Sequence, residues 1–123
     1  MTILPSAGLR ARVALDKHSF RTTHSLGQNF LLDDRFLSGL LDKTGVHSGD
    51  RVLEIGPGAG VMTRCLLEEG ARVTAVELDQ SLRPVLEEML AGQEGARLIF
   101  ADALKLDPSE LFGEESYRVV ANL

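Results

Sequence analysis

Apolar residues follow two rhythms along this chain, short unbroken runs and helical stripes, and their alternation predicts an α/β domain. Phe36, Leu37, Leu40 and Leu41 share one face of a helix over Asp34 to Thr44, with Asp33 or Asp34 as its cap and Gly45 as its terminator. Val52, Leu53 and Ile55 then form a run suited to a parallel strand buried on both faces. Gly56, Gly58 and Gly60 break that run, and Val61 to Glu69 reads as a helix closed by Gly70. A second strand is expected over Arg72 to Val76. A helix over Ser81 to Ala91 follows, with Leu82, Val85, Leu86, Met89 and Leu90 inward and Pro84 tolerated near its first turn. A third strand over Arg97 to Phe100, a helical turn over Pro108 to Phe112 and a fourth strand over Tyr117 to Ala121 complete the series. Strands separated by helices in this way favour a parallel sheet.

The glycine turn carries the chemistry. Directly after a buried strand, glycines let the backbone turn sharply and approach a ligand with no Cβ in the way, and the following helix aims its first N–H groups at that ligand. The spacing alone fits nicotinamide, flavin and S-adenosylmethionine enzymes. Two details narrow it: Val61 stands where a dinucleotide fingerprint wants its third glycine, and Glu54 precedes the loop, where a carboxylate suits a cationic ligand better than a diphosphate. The sulfonium and amino groups of S-adenosylmethionine supply such cations. Glu77, at the end of the second strand, stands where a fold of this type holds ribose hydroxyls; a carboxylate can accept from both at once, and it disfavours a 2′-phosphate. Asp102, just after the third strand, can accept a hydrogen bond from an adenine amino group. Upstream, Gln28 and Asn29 offer amide donors and acceptors while Phe30 and Leu31 offer apolar surface. Composition alone favours reading that stretch as a loop docked on the core.

The chain has 123 residues, enough for one domain, and its 44% apolar and 25% charged composition is that of ordinary globular material. No apolar run is long enough to span a bilayer, and the first residues lack a secretory core, so neither a membrane nor export is expected and a cytoplasmic location is the default. The single cysteine, Cys65, sits in a helical stripe and reads as a core thiol. No metal is expected: His18 and His24 lack ligand company, and His47 reads as exposed. The net charge of −5 is uneven. Within residues 1–28, Arg10, Arg12, Lys17 and Arg21 face only Asp16, a net of +3, which leaves −8 for the remainder. A basic arm over residues 1–24 can touch phosphates while an acidic body holds a cationic cofactor; a solvated terminus explains the same charges equally well.

Taken together and in order, Gly27-Gln28-Asn29-Phe30-Leu31, Glu54-Ile55-Gly56-Pro57-Gly58-Ala59-Gly60, Glu77-Leu78-Asp79, Asp102-Ala103 and Asn122-Leu123 resemble the motifs of the ribosomal RNA adenine dimethyltransferases. The resemblance implies a Rossmann-like class I methyltransferase fold, here a truncated parallel sheet of about four strands with flanking helices. It implies S-adenosylmethionine as cofactor, with Gln28, Asn29, Leu31, Glu54, Gly56, Gly58, Glu77, Leu78, Asp102 and Ala103 around it. It further implies dimethylation at N6 of two adjacent adenines near the 3′ end of small-subunit rRNA, within a pre-30S particle contacted by the basic arm. Asn122 and Leu123 resemble the first half of the catalytic motif Asn-Leu-Pro-Tyr, in which the Asn122 Oδ1 and the carbonyl following Leu123 would accept the N6 hydrogens. The sequence ends before the Pro and the aromatic, so residues 25–123 are expected to be the N-terminal part of the cofactor-binding domain, without the helical C-terminal domain and with the fourth strand as an open edge. Two alternatives remain: a resistance-type methyltransferase of a large-subunit rRNA adenine, and a non-catalytic module for ribosome assembly. A dehydrogenase is a more distant alternative.

Overall fold

The computed structural model describes Val13, Ala14, Lys17 and residues 34–121. Strands β1 (Arg51–Ile55), β2 (Arg72–Glu77), β3 (Ala96–Phe100) and β4 (Arg118–Ala121) form one sheet in the order β3-β2-β1-β4, with every pairing parallel. Parallel neighbours need crossovers. Helices α2 (Val61–Glu68), α3 (Arg83–Met89) and α4 (Pro108–Phe112) supply them, and α1 (Asp34–Thr44) precedes the sheet.

Alternation along the strands sorts the core into two layers. Val52 of β1 and Val73 and Ala75 of β2 pack with Leu37 and Leu41 of α1, Val61, Met62, Cys65 and Leu66 of α2, and Val85 and Met89 of α3. The opposite face, with Leu53 and Val76, is covered by Phe112 of α4. Burying each of the large aliphatic side chains contributes about 1.5–3 kcal/mol, so the three-helix face dominates the stability. Ala14 joins that face at 2% exposure, so this part of the N-terminal arm packs on the body.

Element bounds follow the sequence expectation closely, with one reorganisation. The helix expected over Ser81 to Ala91 is split into a 3₁₀ turn, Gln80–Leu82, and α3. Pro84 has no N–H to give to an earlier carbonyl, so the α-helix begins at Arg83 with the proline in its first turn. Asp79 caps the preceding turn by accepting from the Ser81 N–H at 2.9 Å. Among the described residues, no helix is long and apolar enough to cross a membrane.

Candidate functional site

Register brings the chemistry to one edge of the sheet. Ile55 pairs with Val76 and with Ala121, and Glu77 pairs with Phe100, so all four strands end side by side. The chain runs outward from β1 to β2 and β3, then returns to lay β4 on the other side of β1. That reversal opens a crevice at the carboxyl ends, the usual ligand position of open α/β sheets.

The glycine loop sits at this crevice. Gly56, Gly58 and Gly60 have φ of 73°, 58° and 84°, a region closed to most side chains, which is why the strand can turn so tightly into α2. A Cβ on Gly58 would meet nothing within 4 Å, so the loop borders open space. Gly60, the N-cap of α2, provides no side-chain cap, and α2 has no acid in its first turn. Its positive end is therefore not neutralised by its own first turn.

Glu77 is 8% exposed and is braced by the backbone. The Gly58 N–H donates to its Oε1 at 3.1 Å and the Asp79 N–H to its Oε2 at 3.0 Å. A carboxylate has about four acceptor positions, so each oxygen retains capacity for a ligand hydroxyl. The Ser81 hydroxyl and backbone N–H hold the Asp79 carboxyl below its ordinary range, fixing the turn that follows Glu77. Leu78, between the two acids, is 70% exposed. On β3, the guanidinium of Arg83 lies over the Phe100 ring, 4.2 Å from its centroid. Asp102 is half-buried and caps the 3₁₀ turn Ala103–Lys105 by accepting from the Leu104 N–H at 3.0 Å.

The description of the matching protein family is "Ribosomal RNA adenine dimethylase", and the match spans residues 18–123. The chain belongs to the ribosomal RNA adenine dimethylase family. It is 48% identical over 114 residues to the ribosomal RNA small subunit methyltransferase A of Deinococcus radiodurans, covering 93% of this chain and 38% of that protein. Its identity to the protein of the same name from Clostridium acetobutylicum is 42% over 113 residues, covering 91% of this chain and 41% of the relative. This dimethylase-family chain thus spans about two fifths of the length of these relatives. The fold matches the crystal structure of the 23S rRNA methyltransferase ErmE with a TM-score of 0.62 at 31% identity, covering 72% of this chain and 35% of that one. The architecture is the Rossmann-like class I methyltransferase fold, carried here by four parallel strands and their flanking helices.

Of the residues expected at the site of this family member, Glu54, Gly56, Gly58, Glu77, Leu78, Asp102 and Ala103 lie at or beneath the carboxyl edge. Glu54 differs from the others in being fully buried under the loop, where its Oε1 accepts from the Thr63 hydroxyl of α2. Thr63 was not anticipated. Its signal was indirect: an acid within an apolar strand needs a buried donor close by. Gln28, Asn29, Leu31, Asn122 and Leu123 lie outside the described residues, as do Arg10, Arg12 and Arg21. Lys17, expected to meet phosphates, forms an ion pair with Glu88 at 2.6 Å while remaining largely exposed. A separate cavity of about 380 Å³ lies at the amino ends of β1 and β4, lined in part by Asp50, Arg51, Tyr117 and Arg118. Its arginines are engaged, Arg51 with Glu115 at 2.6 Å and Arg118 with Asp50 at 3.4 Å, and it is remote from the glycine loop.

Proposed function

We propose that residues 25–123 are the cofactor-binding part of an S-adenosylmethionine-dependent enzyme that dimethylates N6 of two adjacent adenines near the 3′ end of small-subunit rRNA. The observation that carries this reading is Glu77, which stands at the end of β2 with one backbone N–H on each oxygen and spare acceptor capacity beside the open glycine loop. Strands lie about 4.8 Å apart, so a cofactor whose ribose meets Glu77 reaches β3 with its base and β1 with its amino-acid end. Asp102 is then the adenine acceptor, with Leu78 and Ala103 as apolar contacts, and the loop and α2 face the methionine part. Gln28, Asn29 and Leu31 complete the enclosure.

The bound cofactor supplies an electrophilic methyl group on a positive sulfonium. The chain's part is to hold it and to prepare the nucleophile. An adenine N6 lone pair is delocalised into its ring; a base flipped out of its helix and donating its N6 hydrogens, one to Asn122 Oδ1 and one to the carbonyl following Leu123, has that lone pair redirected toward the methyl. Each transfer forms one N6–carbon bond, breaks the methyl's bond to sulfur and releases one N6 proton to water, so the second transfer starts from a monomethylated N6 that keeps one of these two hydrogen bonds. Asn122 follows Ala121, the β4 residue paired with Ile55 just before the glycine loop, which supports its role. The step needs no covalent enzyme intermediate and no metal. The basic arm over residues 1–24, with Arg10, Arg12, Lys17 and Arg21, is assigned to rRNA phosphates of the pre-30S particle, and the location is cytoplasmic.

Identities of 48% and 42% to proteins named for the small subunit, against 31% to a 23S enzyme, support the small-subunit substrate. The test is methyl transfer from labelled cofactor by this chain fused to the C-terminal remainder of the Deinococcus radiodurans relative. Undermethylated small subunits are expected to gain label at the two adjacent adenines. Label on large-subunit rRNA instead would transfer the assignment to the resistance-type reaction, and no label on either would favour the assembly-module reading.

A further inference from the structure

Thr63 and Glu54 are each 0% exposed, and the Thr63 Oγ1 donates to Glu54 Oε1. They stand on either side of the glycine loop, Glu54 near the end of β1 and Thr63 in the first turn of α2. A hydroxyl bonded to a carboxylate out of water is among the stronger neutral–charged hydrogen bonds. Its position matters because the residues between are poor at holding themselves: three of the five, Gly56 to Gly60, are glycines at positive φ. Other bonds fix the β2 side of the loop, from the Gly56 N–H to the Val76 carbonyl at 2.9 Å and from the Gly58 N–H to Glu77. The α2 side lacks a side-chain cap at Gly60, and there the Thr63–Glu54 bond ties the first helical turn back to the strand.

We infer that Thr63 is a positioning residue for the amino-acid end of S-adenosylmethionine, acting through Glu54 to set where the glycine loop and the start of α2 meet it. The inference rests on the reading of this loop as the cofactor site. It assigns Glu54 to work from beneath the loop, consistent with its complete burial. Because the ribose and adenine contacts are carried by β2 and β3, loss of the bond should act on one end of the ligand only.

The test compares S-adenosylmethionine with 5′-methylthioadenosine, which keeps the adenosine and lacks the amino-acid part, by calorimetric titration into the 123-residue chain. Thr63→Val keeps the shape and removes the donor. It is expected to weaken S-adenosylmethionine roughly tenfold or more while changing methylthioadenosine by no more than about twofold. Thr63→Ser, which keeps the hydroxyl, should restore most of the affinity. Equal losses for both ligands, an unchanged affinity for S-adenosylmethionine, or a Ser variant as weak as the Val variant would each overturn the positioning role. If Thr63→Val does not fold, as judged by circular dichroism, Thr63→Ser against Thr63→Ala gives the same contrast of hydroxyl kept and lost. Failure of the unsubstituted chain to bind S-adenosylmethionine would instead overturn the reading of the site, and this inference with it.

Discussion

Glu77→Ala is expected to weaken S-adenosylmethionine binding by about 10²–10⁴-fold. The ligand would lose two charge-assisted hydrogen bonds from its ribose, each contributing about 1.5–3 kcal/mol, and every 1.4 kcal/mol is tenfold in affinity. The loop would also lose its anchor, because Glu77 Oε1 is what receives the Gly58 N–H. Unlike the effect of Thr63→Val, this loss should fall on S-adenosylmethionine and methylthioadenosine alike, since both carry the ribose. The chain should remain folded: Glu77 lies at a strand end, and water can reach the two backbone N–H groups it leaves behind. Calorimetric titration of the variant with both ligands, alongside circular dichroism, makes the measurement. Affinity within about threefold of the unsubstituted chain would remove Glu77 from the site.

The largest effect on stability is expected at Gly70, where Gly70→Ala should cost about 3 kcal/mol, lowering the melting temperature by roughly 10 °C for a domain of this size. Gly70 ends α2 in a double closure: its N–H donates to the Leu67 carbonyl at 3.0 Å and the Ala71 N–H to the Leu66 carbonyl at 3.1 Å. This geometry requires a left-handed residue, and φ is 95°. Space is the second constraint. A Cβ there would collide with the Ser48 hydroxyl and stand 3.0 Å from its Cβ and 3.3 Å from its Cα, so rotating the serine cannot relieve the contact. The same position accepts the Gly49 N–H at 3.0 Å, tying the end of α2 to the turn before β1. Gly92 separates the two causes, since its φ is 76° but a Cβ there meets nothing within 4 Å. Gly92→Ala should cost only the conformational part, about 1 kcal/mol. Equal costs in thermal unfolding would show that the Ser48 contact is relieved at no expense.

Much of the fold was legible because this chain's signals agree across levels. The β1 run of Val52, Leu53 and Ile55, the abrupt glycines and the stripe of α2 fix a strand, a turn and a helix within a residue of where they stand. The place of Glu77 at the end of β2, beside the glycine loop, was legible because it is the one acid in that run; its two backbone donors were not. The order of the strands was a different matter. Periodicity says that strands exist and not in what order they lie; that β4 returns beside β1 is seen only in the structure. The Pro84 split required weighing a covalent constraint against an apolar stripe that looks continuous through it. Glu54 shows the limit most clearly. Sequence reasoning aimed its charge at a ligand and did not foresee that the residue is completely buried, with Oε1 accepting from Thr63 in the seam between β1 and α2. A threonine in a helical stripe carries no pattern that announces such a partner. Lys17 was a similar case, since counting charges in the arm could not foresee an ion pair with Glu88, far along the chain on α3.

The central claim is that the glycine loop, Glu77 and Asp102 form an S-adenosylmethionine site. Its most direct test is a calorimetric titration of that cofactor into the purified 123-residue chain, with a nicotinamide dinucleotide titrated in parallel. The account predicts saturable binding of one S-adenosylmethionine per chain and no heat of binding from the dinucleotide. A chain that circular dichroism shows to be folded, yet that binds the dinucleotide or neither ligand, would contradict it.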